Sequence, residues 1–131
     1  MGSFTIVFEI IIAILFFGLI IFIHELGHFI TAKLMKIQVN EFSLGMGPLI
    51  LHFGKKETKY SWRLFPLGGY CAMEGEDTES NNPNAFSNKN VWKRILVVIA
   101  GVIMNFILGF ILILIAVGLC TKPEPGEKNT Y

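Results

Sequence analysis

Charged residues are scarce in this chain, because only 16% of its 131 residues are Asp, Glu, Lys or Arg, and the formal net charge is +1. A chain with so little excess positive charge lacks the electrostatic footprint of a nucleic-acid-binding protein, so nucleic acid is excluded as a partner. Hydrophobic residues make up 53% of the sequence, which is too apolar for an ordinary soluble protein. The length allows at most one ordinary domain.

Cysteine and N-terminal basic residues are also rare. The two cysteines, Cys71 and Cys120, lie far apart and fit no paired metal or redox spacing, so free thiols are predicted. No Lys or Arg precedes Lys33. A cleaved signal peptide needs a basic start, a short apolar core and a small-residue exit, and the first residues of this chain do not follow that pattern.

Two long apolar runs stand out from this background. Residues 4–23 contain one charged residue, Glu9, and residues 95–121 contain none. Each run has about the 20 residues that a helix needs to cross the hydrocarbon layer. The sequence therefore predicts a membrane protein, mainly α, with transmembrane helices over about 4–35 and about 91–121. Lys33 and Lys36 suit the end of the first helix, since cations favour a helix C-terminus.

The residues between the helices carry strand and turn signals. Alternating or apolar segments at 39–44, 49–53 and 58–64 predict a β-hairpin region over about 38–73. Gly45-Met46-Gly47-Pro48 and Pro66-Leu67-Gly68-Gly69-Tyr70 are predicted to break the strands. Residues 74–90 have no periodicity and predict an exposed loop. Residues 1–122 would form the membrane part, with 123–131 as a disordered tail or a truncated linker.

Basic residues are concentrated between the predicted helices. Nine of the eleven Lys and Arg side chains lie within residues 33–94. Because cytoplasmic segments carry an excess of Lys and Arg, the connecting region is predicted to be cytoplasmic and both termini to be outside.

His24-Glu25-Leu26-Gly27-His28 ends the first apolar run and has the pattern H-E-x-x-H. On a helix, His24 and His28 lie one turn apart on one face, so both imidazoles can reach one zinc ion. Glu25 can then activate a water as general base. Ionisable groups inside an apolar span indicate function, since they are costly there.

A catalytic zinc usually has three protein ligands, and the motif supplies two. The remaining candidates all lie in the connecting region, and none has a spacing that argues for ligation: they are His52, Glu74, Glu76, Asp77 and Glu79. The second span offers no carboxylate or histidine. It does place Gly101, Asn105 and Gly109 on one face, which suits close helix packing and an interhelical hydrogen bond from Asn105.

Five motifs follow one another along the chain: His24-Glu25-Leu26-Gly27-His28, Phe42-Ser43-Leu44-Gly45-Met46-Gly47-Pro48, Pro66-Leu67-Gly68-Gly69-Tyr70, Asn84-Ala85-Phe86-Ser87-Asn88-Lys89, and Ala100-Gly101 with Asn105-Phe106. In this order they resemble the N-terminal half of a site-2 protease family intramembrane zinc metallopeptidase, of the bacterial branch that cleaves membrane-anchored regulators. The resemblance implies Zn²⁺ on His24 and His28 with Glu25 as the catalytic base. It also implies a membrane-associated hairpin, with Gly45 and Gly47, that pairs with an unwound substrate, and an Asn105 that holds substrate or oxyanion.

The resemblance further implies a transmembrane protein substrate, contact with membrane lipid, and a place in the bacterial inner membrane. Two departures accompany it. Val102 stands where the family has Pro, and the later span whose Asp is the third zinc ligand, often preceded by a PDZ domain, does not follow. We therefore expect a truncated chain that lacks this ligand and could need a C-terminal half. The alternative is an inactive fragment that binds zinc weakly or pairs with another chain. A transporter-like helix pair is a weaker third interpretation, because two spans are too few for a transporter alone.

Overall fold

The computed structural model describes residues 2–54 and 56–121, and the tail predicted at 123–131 lies outside the described residues. The chain forms helix α1 (Ser3–Leu34), strands β1 (Val39–Phe53) and β2 (Lys59–Met73), a short 3₁₀ turn at Phe86–Asn88, and helix α2 (Val91–Cys120). The predicted order of two long helices joined by an antiparallel hairpin is confirmed.

Both helices are long and apolar enough to cross a membrane. The 32 residues of α1 span about 48 Å, which exceeds the hydrocarbon thickness of about 30 Å. Lys33 lies in its last turn, and Lys36 follows with a φ of 56°, which turns the chain into the hairpin. At the start of α2, the Asn90 side chain accepts a hydrogen bond from the Trp92 N–H at 3.1 Å, as an N-cap does.

The helices meet where small residues let their backbones approach. A Cβ added to Gly27 would lie 2.6 Å from the Ala100 carbonyl oxygen, so this crossing requires glycine. Gly101 lies at the same helix crossing, against His24 and His28 of α1, as predicted for a small residue on the packing face of α2. Gly109 does not, because a Cβ there would meet nothing within 4 Å of the described chain.

The predicted strand breaks are wrong. Both strands run through their glycine- and proline-containing segments, and the register shifts repeatedly along the pair. Gly45, Gly47 and Gly68 have φ values of 81°, 89° and 85°, which other residues rarely adopt. These bulges bend the strands and keep them paired, where the sequence pattern predicted interruptions.

The bends fold the hairpin back on itself. Residues 41–44 pair with 69–72 in the antiparallel sense. They also lie opposite residues 59–62, where Glu41 faces Lys59 and Leu44 faces Trp62, so those two segments run in the same direction. The first half of β1 is therefore held on both sides by β2.

Most residues of the connecting loop, 74–90, are exposed, but its backbone is anchored to the hairpin. Backbone bonds from Gln38 N to Asn84 O (2.9 Å) and from Phe86 N to Glu74 O (2.7 Å) close it over the base of the hairpin. Ala85 is fully buried there. The core lies between this base and the two helices and comprises Ala32, Ile37, Val39, Phe42, Cys71, Met73 and Val97.

Candidate metal and catalytic site

His24 and His28 lie on one face of α1, as their spacing predicts. Their ring centroids are 4.8 Å apart and the rings are nearly perpendicular, at 83°. Both side chains are half-buried against α2. Two imidazoles in this relation can approach one ion from different directions.

Gly101 of α2 lies directly beside the nitrogen atoms that could bind the ion. A Cβ added there would be 2.7 Å from His28 Nε2 and 2.8 Å from His24 Nε2. The two Nε2 atoms therefore converge on one place, and the absence of a side chain at 101 keeps that place open. The arrangement fits a metal ion held through both Nε2 atoms.

The orientation of His28 is fixed by a backbone carbonyl. Its Nδ1 lies 2.8 Å from the Val97 carbonyl oxygen. Since a carbonyl oxygen can only accept, Nδ1 carries the proton and Nε2 keeps its lone pair for a metal.

Asn105 contacts the other imidazole. Its Nδ2 lies 3.3 Å from His24 Nδ1, which is the interhelical hydrogen bond predicted from the sequence. Its Oδ1 is buried and has no hydrogen-bond partner among the described residues. Asn105 also lines an open groove of about 530 Å³ with His24, Val102, Phe106, Gly109, Phe110 and Ile113.

Glu25 lies next to His24 and is half-buried. Burial first, and then the nearby Glu25 carboxylate, raise the pKa of the Cys71 thiol to about 12. The thiol is therefore neutral at physiological pH. Cys71 and Cys120 are both free, as predicted.

No third protein ligand reaches the two histidines within residues 2–54 and 56–121, where no group of three His, Cys, Asp or Glu could hold a metal. His52 is exposed on β1 opposite Ser61. Glu74 is engaged elsewhere, since it accepts hydrogen bonds from Asn40 at 2.7 Å and Ser80 at 2.8 Å. The structure thus brings none of the sequence-predicted candidates to the motif.

A polar cluster in the hairpin was missed from the sequence. Arg63 donates to the Gly47 carbonyl at 3.0 Å, to Ser43 Oγ at 3.2 Å and to the Tyr70 hydroxyl at 2.9 Å, and it forms an ion pair with Glu41 at 3.3 Å. These contacts pin the Gly45 to Gly47 bulge to β2. Arg63, the one charged residue within residues 60–73, was the only signal of this cluster in the sequence.

The Glu41 carboxylate is the acidic member of this cluster. Burial alone would raise its pKa, but hydrogen bonds from Ser61, Tyr70 and Arg63 outweigh burial and hold the pKa below the ordinary value. The ionised form of Glu41 is therefore the one that stabilises the hairpin.

The hairpin extends along α1 on the N-terminal side of the motif. A Cβ added to Gly18 would lie 2.1 Å from the Pro66 carbonyl oxygen, so strand and helix backbones touch there. Phe42 packs on Phe22 and Phe29, with ring centroids 5.9 Å and 4.8 Å apart. Gly18 is six positions before His24, which corresponds to about 9 Å along the helix axis.

Several known proteins are similar to this chain in sequence. The profile of Peptidase family M50 matches residues 12–125. A protein of Clostridium acetobutylicum named "Putative zinc metalloprotease" is 53% identical over 92% of this chain and 39% of its own length. One of the same name from Fusobacterium nucleatum is 47% identical over 87% of this chain and 34% of its own length. The "Membrane metalloprotease ARASP, chloroplastic" of Arabidopsis thaliana is 38% identical over 89% of this chain and 26% of its own length.

The chain spans about two-fifths or less of the length of these relatives. The motif, the hairpin and both helices all fall within the family match, apart from the first turns of α1.

Proposed function

The chain belongs to Peptidase family M50 and is by family a zinc metalloprotease, and on that premise we propose that it carries part of the active site of an intramembrane protease of the site-2 type. The observation that supports this most strongly is the convergence of both Nε2 atoms beside Gly101. Two apolar helices, each long enough to cross a membrane, support a site inside a bilayer.

His24 and His28 would hold the zinc ion through their Nε2 atoms. The Val97 carbonyl already fixes one of the two rings in the required orientation. When bound, zinc supplies a Lewis acid that polarises the scissile carbonyl and lowers the pKa of an attacking water. The third ligand would come from residues outside those that the structure describes.

Glu25 is proposed as the general base and acid. Its carboxylate takes a proton from the water whose oxygen bonds to the scissile carbon, and then gives that proton to the leaving amine as the carbon–nitrogen bond breaks. Glu25 directly follows His24 in α1, and this place in the H-E-x-x-H pattern supports the assignment. The half-buried surroundings limit competing water.

The hairpin is proposed to lie in the membrane and to bind the substrate chain. It exposes many large apolar side chains, as a lipid-facing surface does: Leu44, Met46, Leu49, Ile50, Leu51, Phe53, Trp62, Leu64, Phe65 and Leu67. Among residues 2–54 and 56–121, residues 69–72 pair on one side only, with 41–44, so their other edge would offer backbone groups to an unwound transmembrane protein segment. The bulge at Gly45 and Gly47 gives this surface its shape.

The location proposed for the chain is the bacterial inner membrane, with the hairpin on the cytoplasmic side and both termini outside. The excess of Lys and Arg between the helices supports this orientation. Reporter tags at residue 2 and within residues 76–80 test it, because only the second tag should be accessible from the cytoplasm. The reverse pattern would refute the orientation and leave the proposed chemistry intact.

The activity is tested with a chimera in which this chain replaces the matching segment of the Clostridium acetobutylicum relative. We expect the chimera to cut a transmembrane substrate in proteoliposomes and the Glu25→Gln form to be inactive with its zinc retained. Equal cleavage by both forms would refute the role of Glu25.

A second candidate function is a membrane segment that binds zinc weakly and does not cleave alone. The absence of a third ligand group within residues 2–54 and 56–121 favours it for the isolated chain. Full cleavage activity from this chain alone, without the longer partner sequence, would exclude this alternative.

A further inference from the structure

Asn105 is a strongly polar side chain within the charge-free part of α2, and its two amide ends have different surroundings. The Nδ2 end lies 3.3 Å from His24 Nδ1. The Oδ1 end is buried without a hydrogen-bond partner among the described residues. Asn105 thus has one polar contact in this part of the chain, and that contact is with a proposed metal ligand.

The orientation of the amide decides which nitrogen of His24 carries the proton. If Nδ2 donates to Nδ1, a neutral ring must carry its proton on Nε2. A protonated Nε2 cannot bind a metal. Yet His24 Nε2 is the atom that lies with His28 Nε2 beside Gly101.

Turning the Asn105 amide by 180° about its terminal bond resolves this conflict. The oxygen and nitrogen then exchange places with little change of shape, and Oδ1 accepts a proton from His24 Nδ1. Because the buried end lacks a partner among the described residues in either orientation, the contact with His24 alone decides between them. In the turned state His24 matches His28, whose Nδ1 donates to the Val97 carbonyl.

We propose that Asn105 is the positioning residue for His24, and that its carbonyl oxygen holds the Nδ1–H tautomer which leaves Nε2 free for the metal. The two histidines then obtain the same tautomer from different sources, a backbone carbonyl on α2 and an amide side chain two turns later on the same helix. This inference rests on the proposed zinc site, and it gives Asn105 a role toward the ligand rather than toward the substrate.

The proposal is tested by measuring the zinc affinity of the purified chain in detergent, through competition with a chromophoric chelator. Asn105→Leu removes the acceptor and should weaken zinc binding about 10- to 100-fold, as losses of such supporting groups do. Asn105→Asp keeps an oxygen acceptor in every orientation and should bind at least as tightly as the original chain. Val102→Leu, in the same groove, should leave the affinity unchanged. Equal affinity of the Leu variant and the original chain would overturn the proposal.

A second readout needs no zinc. Nitrogen-15 spectra of the imidazoles at about pH 9, where free histidines are neutral, report which nitrogen carries the proton. His24 should be the Nδ1–H tautomer in Asn105→Asp and a tautomer mixture in Asn105→Leu, while His28 stays Nδ1–H in both. The same His24 tautomer ratio in both variants would refute the role of Asn105. Failure of every form to bind zinc, with these tautomers as expected, would instead count against the proposed function.

Discussion

Gly101→Ala is expected to damage the proposed zinc site directly. The new methyl carbon would lie 2.7 Å from His28 Nε2 and 2.8 Å from both Nε2 and Cε1 of His24. Ordinary contact requires about 3.5 Å, so the rings must retreat by about 0.7–0.8 Å. They cannot do so freely, because His28 is bonded to Val97 and His24 to Asn105.

Two effects follow from this retreat. Overpacking costs about 1–3 kcal/mol, and loss of the His28 hydrogen bond adds about 1 kcal/mol. The methyl group also occupies the space beside both Nε2 atoms. To bind zinc, the rings must return to their original positions, and the free energy of that return weakens binding. Because about 1.4 kcal/mol corresponds to a factor of ten in affinity, zinc affinity should fall at least about tenfold.

Gly109→Ala is the matched control on the same helix. A Cβ there meets nothing within 4 Å of the described chain, so the variant should keep its zinc affinity. It should also gain about 0.5–1 kcal/mol in helix stability, as Gly to Ala changes within helices do. Chelator competition and thermal unfolding in detergent measure both quantities. Equal zinc affinity in the two variants would refute the inference that both Nε2 atoms converge on a metal position beside Gly101.

Three further changes test the hairpin. Gly18→Leu should push Pro66 off α1, because a Cβ would lie 2.1 Å from its carbonyl oxygen, and should raise protease cutting within β2; an unchanged cutting pattern would contradict the contact. Arg63→Met should speed amide exchange at Gly47 by about tenfold through loss of the hydrogen bond to its carbonyl and of the ion pair with Glu41. Because the Glu41 pKa is lowered from 4.5 on folding, its stabilisation is present above pH 4.5 and disappears as the pH falls through the folded pKa. Amide exchange should show this loss, and Glu41→Gln should abolish the pH dependence.

The helices and the histidine pair could be predicted because they depend on one-dimensional patterns. Charge-free length gives a membrane span, and a spacing of four places two side chains on one helical face. The bounds of α1 and α2 lie within one residue of those predicted. The sequence likewise supplied the interhelical contact of Asn105, since a lone amide in an apolar span seeks a partner.

The hairpin could not be predicted to the same degree, because its conformation depends on contacts between distant residues. Glycine and proline within a strand indicate a break unless the partner strand bulges to keep the pairing, and no local pattern reveals the bulge. The carbonyl of Gly47 is held by Arg63, sixteen positions later. Gly101 was predicted to pack a helix, whereas in the structure it also faces two imidazole rings.

The most direct measurement of the central claim is the zinc affinity and stoichiometry of the purified chain and three single variants. We predict that His24→Ala and His28→Ala each lose zinc, because each removes one of the converging Nε2 atoms. Glu25→Gln should keep the full zinc content, since Glu25 is assigned to proton transfer rather than to ligation. Zinc retained at the original affinity and stoichiometry in both histidine variants would contradict the account.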